Sequence, residues 1–195
     1  STRFNDLRRG LARMSPTLLS KRLKELELAG VIRSVPTPSG ASEYKLTEAG
    51  EDLRPIILGI GNWGQRWVES RLSLRNLDPT LLMWDMRRNL STDPLPPRRC
   101  TIQFLYPELA TTHRNYWLVV ESGEVDLCYT DPGFDIDLLV TSSLRTMTSI
   151  WMGLARLDAE VRAGHVQLEG DPAIRRAMQH WLKLSTFAPV ERRVA

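Results

Sequence analysis

The sequence predicts an α+β chain of two domains: a small helical unit with a β-hairpin over residues 1–74, and a mixed sheet-and-helix unit over residues 78–187. Three observations point there. Apolar residues recur at spacings of three and four through most of the first 72 positions, whereas beyond Cys100 the apolar period becomes two. Pro94, Pro96 and Pro97 stiffen the Ser91–Arg99 stretch just before that change. Charge divides too, earlier in the chain. Residues 1–74 hold 12 Lys+Arg against 8 Asp+Glu, and residues 75–195 hold 14 against 15.

The cationic excess concentrates at the start. Residues 1–24 carry Arg3, Arg8, Arg9, Arg13, Lys21, Arg22 and Lys24 against Asp6 alone. Such a surface releases condensed counterions when it meets nucleic acid, although a plain solvated face has the same composition. Element order has to decide between them.

Asn5 to Leu11 reads as a short amphipathic helix with Phe4, Leu7 and Leu11 inward. Ser15-Pro16 then opens a second helix, serine as N-cap and proline at the first helical position. Leu19, Leu23 and Leu26 form its inner stripe, and Thr17, Ser20, Lys21 and Lys24 occupy the opposite face. Gly30 ends it. Val31–Val35 and Ser42–Leu46 are strand-like, with turn chemistry at Pro36–Gly40 between them. Thr47 caps a third helix expected to run to about Leu72. Helix, turn, helix, hairpin, helix within about 70 residues is a winged helix-turn-helix. Ser15, Thr17, Ser20, Lys21 and Lys24 are the residues placed for a major groove, and Arg22, Arg33 and Lys45 those placed for phosphates.

Arg3-Phe4-Asn5-Asp6-Leu7, Met14-Ser15-Pro16, Leu19–Leu26, Gly30-Val31-Ile32 and Tyr44–Gly50 together resemble the HxlR family of bacterial regulators. The resemblance implies a homodimeric transcription factor that binds double-stranded DNA. Family members carry a further helix ahead of the segment matching Arg3, and that helix helps the dimer; here the sequence starts after it.

Gly59-Ile60-Gly61-Asn62-Trp63-Gly64 spells the dinucleotide fingerprint, which needs a strand before it and a helix start after it. The preceding residues, Glu51 to Leu58, are themselves helical in pattern, so no cofactor is expected. Leu53, Ile56, Ile57, Ile60, Trp63 and Trp67 instead make a wide apolar face suited to a dimer contact, an interdomain junction or ordinary core packing. His113, His165 and His180 are dispersed, and Cys100 and Cys128 are too few for a thiolate zinc site. Asp135 and Asp137 would share one face of a strand as generic acidic surface. No catalytic residue, metal or enzymatic activity is predicted. No run reaches the ~18 apolar residues of a membrane span and the start lacks a signal pattern, so the expected location is cytoplasmic.

In the second domain Asp78-Pro79 starts a helix to about Leu90, and four strands follow at 101–105, 115–121, 124–130 and 134–141. A helix from about Ser143 to Leu154, a strand at His165–Glu169 and a last helix from Pro172 complete it. The run Ala163–Pro172 in this setting resembles the sterol-carrier-protein type 2 fold over residues 78–187. That resemblance implies an apolar small molecule held between sheet and helices as an effector, with Leu118, Ile136, Leu138, Met147, Trp151 and Trp181 as the lining candidates. An interior filled by Trp84, Trp151 and Trp181 is the other outcome, and a lipid carrier without regulatory DNA binding is the alternative function.

Overall fold

The computed structural model describes residues 2–11, 14–37, 42–69, 74 and 77–194. They form two compact units, Ser1–Arg66 and Trp67–Ala195, so the division falls before the expected 74–78 junction.

In the first unit α1 spans Phe4–Gly10 and α2 spans Pro16–Leu28. Ser15 Oγ accepts the Leu18 amide at 3.2 Å, satisfying one of the free donors that every helix start exposes. The other end closes equally well. Gly30, at φ +71°, lets its own amide reach Glu27 O (3.0 Å) and the Val31 amide reach Leu26 O (2.9 Å), so the chain reverses directly into a hairpin. β1 (Ile32–Pro36) and β2 (Ser42–Leu46) pair antiparallel with Arg33 opposite Lys45 and Ser34 opposite Tyr44. The expected turn falls largely on residues 38–41, outside the described residues. Leu19, Leu23 and Ile32 make a small core, with Phe4, Leu7, Met14, Val31 and Tyr44 around it. Leu26 and Leu11 do not join it: Leu26 is 41% exposed although it shares the stripe, because this small core closes on the two turns before it.

Thr47 links this hairpin to α3 (Glu48–Trp67). Its amide donates to Val31 O at 3.1 Å, its hydroxyl donates to the same carbonyl at 3.2 Å, and its Oγ1 accepts the Gly50 amide at 3.2 Å. The Gly59–Gly64 fingerprint lies inside α3, where the backbone is helical rather than a phosphate-binding turn. Leu53, Ile56, Ile60, Trp63 and Trp67 follow a 3-4-3-4 spacing along it and are all exposed, Ile60 and Trp63 at 61% each.

In the second unit α4 (Pro79–Asn89) is capped by Asp78, whose Oδ1 accepts the Thr80 and Leu81 amides. β3 (Cys100–Leu105), β4 (Asn115–Glu121), β5 (Glu124–Cys128), β6 (Leu138–Ser142) and β7 (Val166–Gly170) form one sheet in the order β5-β4-β3-β6-β7. Only the β3–β6 pair is parallel. Helices α5 (Leu144–Trp151), α6 (Leu157–Arg162), α7 (Pro172–Arg176) and α8 (Met178–Trp181) accompany it. Ile102, Phe104, Leu118, Leu138 and Val140 pack with Met83, Met86, Met147, Ile150 and Trp181 in a dense core. Two tryptophans there keep their polar handles satisfied, Trp181 Nε1 donating to Ile174 O and Trp151 Nε1 to Asp85 Oδ2, each at 2.9 Å.

Three expectations shift. The strand expected at 134–141 begins only at Leu138. The Asp137 carboxylate accepts the Thr101 amide at 2.8 Å while the Asp137 amide donates to Thr101 O at 2.9 Å, and ladder pairing starts one residue later at Ile102–Leu138. Asp135 and Asp137 therefore share no strand face, and Asp137 is held by Arg98 at 2.7 Å. The helix expected through Leu154 stops at Trp151, followed by Gly153 at φ +72°, and α6 went unforeseen. No helix among the described residues is long and apolar enough to cross a membrane.

Candidate nucleic-acid interface

Helical geometry of about 100° per residue turns Thr17, Ser20, Lys21 and Lys24 to one side of α2, and all four are exposed while Leu19 and Leu23 are buried on the other. Among the described residues neither lysine ammonium has a carboxylate within ion-pair distance. Two long cationic side chains flanked by short hydroxyls suit a groove wall of phosphates and base edges. Ser15 has its oxygen engaged as the N-cap, so its contribution to a ligand is the hydroxyl proton.

Two further residues lie on this face. Glu25 and Leu28 line, with Pro16, Thr17, Ser20, Lys21 and Lys24, a shallow concavity of about 650 Å³. Leu28 is 88% exposed, a position where a methyl-bearing base edge would be a suitable neighbour. The periodicity that selects Lys21 and Lys24 also reaches Glu25 and Leu28, so both were recoverable from the sequence. Arg22, expected on phosphates, has a carboxylate beside it. Its guanidinium pairs with Glu25 at 2.6 Å, which neutralises it locally.

The hairpin supplies a second cationic element. Arg33 and Lys45 sit directly opposite one another across the ladder and both are exposed. Like charges in that register repel, so an anion laid across them would relieve the pair. The hairpin is tied to α2 by Glu27, whose Oε1 accepts the Ser34 amide at 3.0 Å. On its other edge Thr2 O accepts the Tyr44 amide at 2.7 Å, and Arg3 pairs with Glu43 at 3.5 Å. Reader and wing are thereby held as one body.

Residues 1–72 match the family described as HxlR-like helix-turn-helix. The likeness to that family covers the first 72 of 195 residues. The HxlR-like segment is 39% identical over 71 residues to the uncharacterized HTH-type transcriptional regulator YvaP of Bacillus subtilis (strain 168), covering 35% of this chain and 66% of that one. The chain spans 42% to 66% of the length of such curated relatives. Beyond the HxlR-like segment the chain is similar to solved structures at lower identity. A UbiJ-SCP2 ubiquinone synthesis protein matches at 19% identity and TM-score 0.41, over 57% of this chain and 89% of that one. A double mutant of the sec-alkyl sulfatase PisA1 matches at 18% identity and TM-score 0.48, over 59% of this chain and 18% of that one.

In the second unit, Leu118, Leu138, Met147, Trp151 and Trp181 are buried within the packed core, while Ile136 is 46% exposed outside any strand and does not face the interior. Trp84, Trp151 and Trp181 occupy that core. Among the described residues a cavity of about 480 Å³ lies outside that core, lined by Ile150, Leu157, Leu182, Leu184 and neighbours from the end of α5, the start of α6 and the segment after α8. Arg156 and Asp158 also line it and pair at 3.0 Å. These linings come from helix ends and irregular backbone, which carry little periodic signal.

Among the described residues no group of three or more His, Cys, Asp or Glu side chains could hold a metal ion. Cys100 is fully buried in β3, and burial, with a smaller contribution from the Asp137 carboxylate, pushes its thiol up to about 12. Since the thiolate is the nucleophile, Cys100 in the folded protein is expected to resist iodoacetamide at pH 8 and to be labelled only after unfolding; peptide mass analysis reads this directly.

Proposed function

We propose that this chain is a DNA-binding transcriptional regulator that reads double-stranded DNA as a homodimer and responds to an apolar small molecule in its second unit. The observation that carries the reading is the outer face of α2, where Lys21 and Lys24 stand among hydroxyls above a buried leucine stripe with no ion-pair partner among the described residues. α2 would enter the major groove, and Arg33 and Lys45 would follow the adjacent phosphates. The activity is binding rather than catalysis, without a cofactor, and a reader of chromosomal DNA in bacteria works in the cytoplasm. Mapping bound DNA across the genome tests it: recurrent sites with a two-fold repeat support it, and uniform background defeats it.

The dimer reading rests on α3. Its exposed 3-4-3-4 row of Leu53, Ile56, Ile60, Trp63 and Trp67 is the pattern by which two helices interlock, and a second copy offers the same row in return. Replacing Ile56 and Ile60 with glutamate is expected to convert a dimer to monomers in sedimentation and to weaken binding to a two-half-site duplex. Unchanged mass would remove α3 as the seam.

The effector reading rests on the cavity of about 480 Å³, a size suited to a small ligand and walled largely by Ile150, Leu157, Leu182 and Leu184. A lipid carrier that does not regulate would use the same cavity but would be indifferent to changes at Lys21 and Lys24.

A further inference from the structure

The cavity of the second unit has one wall made by the segment after α8. Leu184, Ser185, Ala188 and Pro189 all line it. That segment is pinned at two points. At its near end the Ser185 amide donates to the Trp151 carbonyl, the last residue of α5, at 2.9 Å. At its far end the Arg192 guanidinium donates to the Val68 carbonyl at 2.7 Å. Val68 directly follows Trp67, the last residue of α3. A positively charged donor on a carbonyl just past a helix C-terminus completes its hydrogen bonding and opposes the negative end of its dipole.

Between the pins the fit is tight. Gly153, at φ +72°, lies so close to Ala188 that a Cβ there would approach its side chain and carbonyl to 2.9 Å. The strap has no slack toward the α5–α6 turn, so an occupant larger than the existing space presses Ala188 and Pro189 outward. The local bonds Ala188 N to Ser185 O (2.9 Å) and Val190 N to Phe187 O (3.0 Å) fold residues 185–190 into a compact turn, and three residues separate Ala188 from Arg192.

We infer that residues 184–192 are a strap that reports occupation of the cavity to the end of α3, with Arg192 as the positioning residue. This rests on the effector reading above and adds its route. A ligand lifts the Ala188–Pro189 turn, the Arg192 guanidinium leaves the Val68 carbonyl, and the final turn of α3 loses its cap. The helix so affected carries the exposed Ile60–Trp63–Trp67 row, so the event at the cavity reaches the surface assigned to the second copy.

The test uses the full chain and reads amide hydrogen exchange over residues 63–68, which needs no DNA. Two occupants are compared: dodecanoate as a soluble apolar probe, and Ala155→Trp, which fills the space from its own wall. Each is expected to speed exchange in the last turn of α3 roughly tenfold, the size of one lost charge-assisted hydrogen bond. Arg192→Ala is expected to show that fast exchange already, to gain nothing from dodecanoate, and to bind dodecanoate roughly tenfold more tightly than the native chain, because binding no longer has to break the Arg192–Val68 bond. Native exchange rates in Arg192→Ala overturn the strap, as do native rates in a chain saturated with dodecanoate. Should dodecanoate fail to bind, the choice of effector fails by calorimetry while folded Ala155→Trp still decides the strap: unchanged exchange there overturns it, and accelerated exchange supports it. Whether the ligand-free chain binds DNA is a separate titration, so a failed regulator reading is recognised on its own.

Discussion

Replacing Lys21 and Lys24 together with alanine is expected to lower the slope of log affinity against log salt by about two on mixed-sequence duplex DNA. Each ammonium that neutralises one phosphate releases about one counterion, and the two side chains are independent donors on one exposed face of α2. At low salt the affinity should fall about a hundredfold, roughly tenfold for each charge-assisted contact. Lys183→Ala, a cation of the second unit, serves as the control for net charge and should leave the slope within about 0.3 of native. Titration by fluorescence anisotropy at several salt concentrations gives the slope directly. A slope that does not change would show that α2 is not the surface meeting DNA, and the carrier alternative would then stand.

Gly50→Ala is expected to unfold the first unit selectively. A Cβ on Gly50 would lie 2.1 Å from the Val31 carbonyl oxygen and 3.0 Å from the Leu46 side chain. The first obstacle is backbone, held in place by Thr47 through its amide and its hydroxyl, so it cannot turn aside as a side-chain tip would. Relief requires α3 to move away from the hairpin, at a cost of about 3 kcal/mol or more. A unit of about 66 residues whose fully buried apolar core is Leu19, Leu23 and Ile32 has little stability beyond that. Denaturation followed by circular dichroism should show an early transition for the first unit, with the second unit melting as in the native chain. DNA binding should be lost with the first transition. A single native-like transition with intact binding would mean the junction yields more easily than the close approach implies.

Much of the first unit was legible because its signals are local. Ser15-Pro16 states where α2 begins, Gly30 where it ends, and Thr47 where α3 begins; each acts through bonds to residues within a few positions or through backbone conformation. Lys21 and Lys24 were assigned by the same 100° geometry that hides Leu19 and Leu23. Glu25 and Leu28 were equally readable from that geometry, yet an acidic and an apolar side chain do not announce themselves as groove residues. The partnership of Arg22 with Glu25 depends on which of several neighbours a long side chain selects, and spacing leaves that open.

The second unit was read less completely, for a physical reason visible at Asp137. Alternation of Phe134, Ile136, Leu138 and Val140 satisfies the strand period, but a period records only which side chains could share a face. Whether a partner strand is there to pair depends on Thr101, 36 residues away, whose amide the Asp137 carboxylate takes. Phe134 and Ile136 are left outside the ladder as a result.

By itself the sequence determined the order of the elements in the first unit and the caps that bound them, the change from one helical unit to a sheet-bearing one, and the cationic outer face of α2. Only the tertiary structure decided where space is left in the second unit, that its walls are helix ends and the strap from Leu184 to Arg192, and that this strap reaches Val68. Caps and periods are written in neighbouring residues, whereas a cavity is what remains after distant segments have packed, and no stretch of chain encodes it alone.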